Sequence, residues 1–144
     1  MEYKTFGHKW FGEVWNKQNE SAIFELFSKK GIAHDLRDEQ GNEIVGPEKF
    51  AVFFKQFIQS FPDLRVHVED TVTEKEKITC RCTITATHSG KPFQSFDGRS
   101  IPPTGKEIKF TGMSIVVVRD GQIQEAWNNF DFLTMYLQLG LLKL

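Results

Sequence analysis

The chain has 144 residues, enough for one domain over 1–144 with a real hydrophobic core and no need of disulfide or metal staples. Its 18 basic and 19 acidic side chains leave a formal charge of −1, so nothing steers it toward nucleic acid or an anionic membrane. No apolar run is long enough to span a bilayer, and Trp10, Phe11 and Val14 are interleaved with Lys9, Glu13 and Lys17 where a secretion signal would be uniformly apolar.

Three helical patterns open the chain. Phe6, Trp10, Phe11, Val14 and Trp15 form one amphipathic stripe, and Ile23, Phe24, Leu26 and Phe27 a second, with Asn19 or Ser21 as its cap. Gly46-Pro47-Glu48 starts a third, because proline suits the first helical turn. That helix carries Phe50, Phe53, Phe54, Phe57, Ile58 and Phe61 along one side and stops at Pro62. Between the second and third helices, Ile32 to Leu36 and Ile44-Val45 can pair as a short hairpin around Gly41-Asn42.

Beyond Pro62 the period changes to two. Leu64, Val66, Val68 and Val72 alternate with polar residues, as do Ile78, Cys80, Cys82, Ile84, Ala86 and His88. A Gly-, Ser- and Pro-rich loop covers 89–106, and Ile108 to Val118 then reads as a strand that is apolar on both faces from Ile115 onward. Gly112 within it suggests a bulge or bend. A turn at Asp120-Gly121 leads into a strand with Ile123, Glu125 and Trp127 at alternate positions, hence on one face. Asp131 opens a last short helix that Gly140 can end. Helices first, then a meander of long strands, then a short helix is an α+β order, with a curved antiparallel sheet wrapped around the N-terminal helices.

Chemistry is sparse. Cys80 and Cys82 lie side by side on one strand face, where a bridge would be strained, and read as buried thiols of a reducing cytoplasm. His8, His34, His67 and His88 show no metal-ligand spacing, and no phosphate loop or nucleophile elbow is present. Asp131, close to Trp127 and several phenylalanines, is the candidate acid/base; its competing role is to cap the last helix. His88 ends a strand on the apolar face, so it either points into a cavity or anchors the following loop. His34 beside Asp35 cannot form a dyad in a strand, though one of the two can enter a pocket. Glu125 is a second pocket carboxylate or an ion-pair partner of Arg81 or Lys109. The 14 phenylalanines fit either a core built from rings or the wall of an apolar cavity, with Phe54 and Phe57 as wall candidates.

Thr87-His88-Ser89-Gly90, Pro102-Pro103-Thr104-Gly105-Lys106, Phe110-Thr111-Gly112, Gly121-x-Ile123-x-Glu125-x-Trp127-x₃-Asp131 and Gln138-Leu139-Gly140, in that order, resemble the motif series of SnoaL-like polyketide cyclases, also called ester cyclases. The resemblance runs from the first helix to the C-terminus. It implies a nuclear-transport-factor-2-like cone, a curved sheet around helices enclosing one apolar pocket, commonly dimeric through the sheet. It also implies general acid/base catalysis by a pocket aspartate matching Asp131, in an aldol closure that uses no metal or organic cofactor. One stretch departs from the family: where the cyclases carry polar side chains including a histidine, this chain has Met113-Ser114-Ile115-Val116-Val117-Val118, with only Ser114 polar.

The expected function is therefore a cofactor-independent acid/base enzyme acting on a small apolar or aromatic carbonyl compound. Asp131 and His88 are its expected catalytic residues, and His34, Phe54, Phe57, Met113, Ile115, Val117 and Trp127 its expected ligand contacts. The alternative is a non-catalytic module binding a small lipophilic molecule, which the apolar run from Ile115 to Val118 favours. An epoxide-opening hydrolase would need Arg81 to bridge Glu125 and Asp131, but Arg81 falls on the face opposite Cys80 and Cys82.

Overall fold

Alternation of apolar and polar residues builds the long strands of the chain into one six-stranded sheet. A computed structural model describes residues 3–143. The helix α1 (Phe6–Trp10), capped by the Thr5 side chain, continues as a π-helical stretch, Phe11–Asn16, and is followed by α2 (Glu20–Leu26). Strands β1 (Phe27–Arg37) and β2 (Glu43–Val45) precede the long helix α3 (Pro47–Ser60). Strands β3 (Arg65–Glu74) and β4 (Lys77–Thr87) follow, then a small hairpin of β5 (Phe93–Gln94) and β6 (Ser100–Ile101) within the 89–106 loop. The chain closes with β7 (Glu107–Arg119), β8 (Gln122–Phe130) and the helix α4 (Phe132–Leu139).

The sheet order is β2-β1-β8-β7-β4-β3. The expected α+β architecture is present, with one refinement: β1 lies parallel to β8, so the sheet is mixed at that seam. This follows from the chain path, because β1 enters the sheet from the helices and the β7–β8 hairpin is added beside it much later. The expected β1–β2 pairing is found, with Ala33 opposite Ile44, and Asp35 takes a left-handed conformation where the register slips. The β7–β8 hairpin turns through Asp120 and Gly121, both at positive φ, which is the two-residue turn that matches strand twist.

One face of the sheet carries α1, the π-helical stretch and α3. Their rings interlock: Trp10 meets Phe50 edge-on with centroids 5.2 Å apart, and Phe27 tilts against Phe50 at 5.3 Å. The opposite face of β7 is open, with Met113 and Ile115 exposed, so its doubly apolar segment is not covered on both sides within this chain. Cys80 and Cys82 are buried free thiols, and burial pushes them up to about 11 and about 12, which leaves them protonated and unreactive.

Gly112 does not mark a bulge, since β7 keeps its register with β4 and β8 through it. Its missing Cβ makes room for the Phe130 ring, which lies directly over the backbone. Replacing Gly112 with alanine is expected to cost about 1–3 kcal/mol by overpacking, read as a lower midpoint in urea with an unchanged slope.

Candidate functional site

Between the helices and the inner face of the sheet lies a cavity of about 90 Å³. Its roof is aromatic, from Trp10, Phe11, Trp15, Phe50, Phe53 and Phe57, and its floor comes from inward residues of β1, β4, β7 and β8. Phe57 thus stands in the wall as expected. Phe54 does not; it turns the other way on α3 and packs against Trp15 with centroids 5.2 Å apart.

Strand parity decides the rest. On β7, Ile108, Phe110, Gly112 and Ser114 point inward and are buried, while Lys109, Thr111, Met113 and Ile115 point outward. Met113, Ile115 and Val117 therefore lie on the outer face, away from the cavity, whereas Ser114 and Val116 line it. On β8 a bulge intervenes. Ile123 pairs with Val118 but Glu125 pairs with Val117, leaving Gln124 as an extra residue whose amide side chain donates to the Arg119 carbonyl at 3.2 Å. The bulge reverses the alternation, so Ile123 faces in, and after it Ala126, Asn128 and Phe130 face in while Glu125 and Trp127 face out. The expectation that Ile123, Glu125 and Trp127 share a face is thus corrected.

Three polar residues reach the cavity on one rung of adjacent strands. Cys80 on β4 is paired with Ser114 on β7, and Ser114 with Asn128 on β8. Ser114 is buried and its Oγ has no hydrogen-bond partner. Asn128 Nδ2 donates to the His34 carbonyl at 3.0 Å and to the Ala126 carbonyl at 3.4 Å. These residues were not among the candidates, although the polar positions Glu107, Lys109 and Thr111 already signal that Ser114 belongs to the inward set.

Asp131 is not a cavity residue. It is exposed at the start of α4, where Oδ1 accepts the Thr134 amide at 3.0 Å and Oδ2 accepts the Thr134 hydroxyl at 2.6 Å. Those Thr134 hydrogen bonds, side chain first and backbone second, hold its carboxyl below the ordinary aspartate range, whereas a general base would need it raised. His88 is fully buried but does not line the cavity; its Nδ1 accepts the Thr104 amide at 3.2 Å, and its own backbone brackets Gly105 and Lys106. It fastens the 89–106 loop, and burial pushes its pKa down, with the Lys91 backbone acting weakly against that shift.

His34 also lies outside the cavity. On the outer face it stacks on Trp127 with ring centroids 5.5 Å apart and sits between two carboxylates, its Nε2 2.6 Å from Glu125 Oε2 and its Nδ1 against Glu43. Both ring nitrogens face acceptors, a need that only the imidazolium meets, and Glu125 first and Glu43 second raise its pKa. Glu125 is therefore the partner of His34, not of Arg81 or Lys109; Arg81 pairs with Asp70 at 2.9 Å. Among the described residues no group of three or more His, Cys, Asp or Glu is placed to hold a metal.

The family model for the SnoaL-like polyketide cyclases matches residues 8–139. The chain belongs to that family. No curated protein sequence matches it significantly. Among solved structures it is similar to a candidate polyketide cyclase from Bacillus cereus ATCC 10987, at 25% identity and a TM-score of 0.76, over 96% of this chain and 80% of that one. It is likewise similar to IdmH from Streptomyces antibioticus, a candidate polyketide cyclase, at 26% identity and a TM-score of 0.75, over 94% and 96%. A protein of ketosteroid-isomerase-like fold from Catenulispora acidiphila shares the fold at 14% identity, with a TM-score of 0.73 over 98% and 96%. Family and fold thus agree with a cyclase-type scaffold.

The His34 clamp has a pH signature. A histidine whose pKa is raised on folding adds stability that is fully present below its unfolded value near 6.5 and lost as pH rises through the folded value. Glu125→Gln is expected to lower the His34 titration midpoint, followed by the NMR shift of its ring proton, and to flatten the stability profile above pH 6.5; an unmoved midpoint would show that the pair does not form in solution.

Proposed function

We propose that the protein acts on a small apolar or aromatic carbonyl compound enclosed in this cavity, in cyclase-type chemistry of the kind its family carries out. The observation that carries the reading is the cavity itself, roofed by six aromatic side chains and floored by strands, with a short polar rung as its only specific feature. A chamber of this lining that closes on a flexible substrate supplies part of a cyclisation barrier as entropy already lost on binding. About 90 Å³ is less than the roughly 150 Å³ known to admit benzene in an apolar protein cavity, so a ring-sized ligand enters with a shift of the flanking aromatic side chains.

One observation favours a second reading, a binding module without turnover. Among the described residues the only ionisable side chain lining the cavity is Cys80, whose thiol is pushed up to about 11, and Asp131 is spent as a helix cap. Binding an apolar molecule needs burial and no proton transfer. The two readings separate by measurement. Ala126, on the cavity floor, is replaced by leucine to occupy the space, with circular dichroism confirming the fold. Loss of both binding and turnover of apolar ketones and esters supports the enzyme; binding by the parent protein with no conversion of any of them supports the module. An Ala126→Leu protein that still binds as tightly as the parent removes the cavity from both readings.

The same proposal includes a homodimer through the outer face of the sheet, in a cytoplasmic setting that two free buried thiols suit. Val72, Ile115 and Trp127 lie on one rung of that face, 67%, 43% and 39% exposed, with Met113 beside them at 55%. Thr79 lies between Val72 and Ile115 on that rung, and exposed apolar side chains on a central part of a sheet support association. Trp127→Glu is expected to give monomer in sedimentation at concentrations where the parent protein sediments as a dimer; a parent that is monomeric throughout rejects the dimer.

A further inference from the structure

Resting on the reading that the cavity holds a ligand, we propose that Ser114 and Asn128 form a receptor for a neutral hydroxyl group, phenolic or enolic, carried on the ligand's apolar body. The two residues are direct partners across β7 and β8, and both line the cavity. Ser114 is only 3% exposed, and its Oγ finds no acceptor or donor among the described residues. A buried hydroxyl left unpaired costs stability that alanine at this position would not, so its presence in a floor of Ala, Val, Ile and Phe calls for a partner from outside the chain.

Asn128 defines what that partner is. Its amide nitrogen is committed to two backbone carbonyls, those of His34 and Ala126. Since carbonyls only accept, the orientation of the amide is set by chemistry, and Oδ1 is left as an acceptor with no hydrogen bond to the described residues. An acceptor requires a donor on the ligand. The Ser114 hydroxyl both donates and accepts, so a ligand O–H can give its proton to Asn128 Oδ1 while accepting the Ser114 proton on its oxygen. A hydrocarbon leaves both protein groups unpaired, and a ketone in its keto form satisfies Ser114 alone. A carboxylate presents only acceptors to Oδ1, and among the described residues no cationic side chain lines the cavity to offset its burial. The substrate class is thereby narrowed from carbonyl compounds in general to those bound as the neutral enol, or to phenols.

Phenol, toluene and benzoate test this by isothermal titration calorimetry, because they share a ring and differ in one substituent, a hydroxyl, a methyl of similar size and a charged carboxylate. The parent protein is expected to bind phenol about tenfold more tightly than toluene and benzoate not at all. Ser114→Ala is expected to reduce that preference to about twofold or less, with toluene affinity unchanged and a melting temperature no lower than the parent's. Equal binding of phenol and toluene by the parent overturns the hydroxyl receptor and leaves the cavity reading intact. Benzoate binding as tightly as phenol overturns the neutral selectivity. Failure of all three to bind overturns both the receptor and the cavity reading.

Discussion

Everything about this site depends on one extra residue in β8. Without the bulge at Gln124, strict alternation from Ile123 would send Glu125, Trp127 and Asn129 inward. A carboxylate and an indole would then occupy the cavity, and Asn128 would face solvent. With the bulge, the small Ala126 and the amide of Asn128 enter, and the indole goes to the outer face to stack on His34. A single unpaired residue thereby sorts two chemistries onto two faces of one sheet, an apolar chamber with a neutral polar rung inside and a charged, aromatic strip outside.

The same sorting explains why charge is absent from the interior. A buried ion in this chamber would have no partner, and its desolvation cost would exceed any hydrogen bond on offer. Two carboxylates of the last third of the chain are satisfied elsewhere, Glu125 on His34 and Asp131 on Thr134. What remains inside is hydroxyl, amide and thiol. On the proposed function, the cavity reads shape and hydrogen-bond direction, and cyclase-type chemistry rests on confinement more than on a buried base.

Much of the fold was legible from patterning. The phenylalanine stripe of α3, its start at Pro47, the alternation of β3, β4 and β7 and the Asp120-Gly121 turn each follow from local rules, and the resemblance, read from the first helix to the C-terminus, covers nearly the same span as the family match. Ser114 was legible too, since it continues the inward series of Ile108, Phe110 and Gly112; the run of valines after it obscured that parity because both faces there are apolar. The roles of Asp131 and His88 were each open between a local and a catalytic use, and the structure shows each in local hydrogen bonds outside the cavity lining.

The sequence by itself determined the class of architecture, the ring-built core and the chemical poverty of the interior, because periodicity, aromatic content and the lack of clustered ligands are properties of the chain. Which residues meet was decided only in three dimensions. A bulge leaves no local signal in a stretch such as Gly121-Gln-Ile-Gln-Glu-Ala-Trp127, since its cause is the fit of β8 between β1 on one side and β7 on the other, with register slips against both. His34 and Glu125 are brought together by that parallel seam, 91 residues apart in the chain, and no spacing rule could pair them.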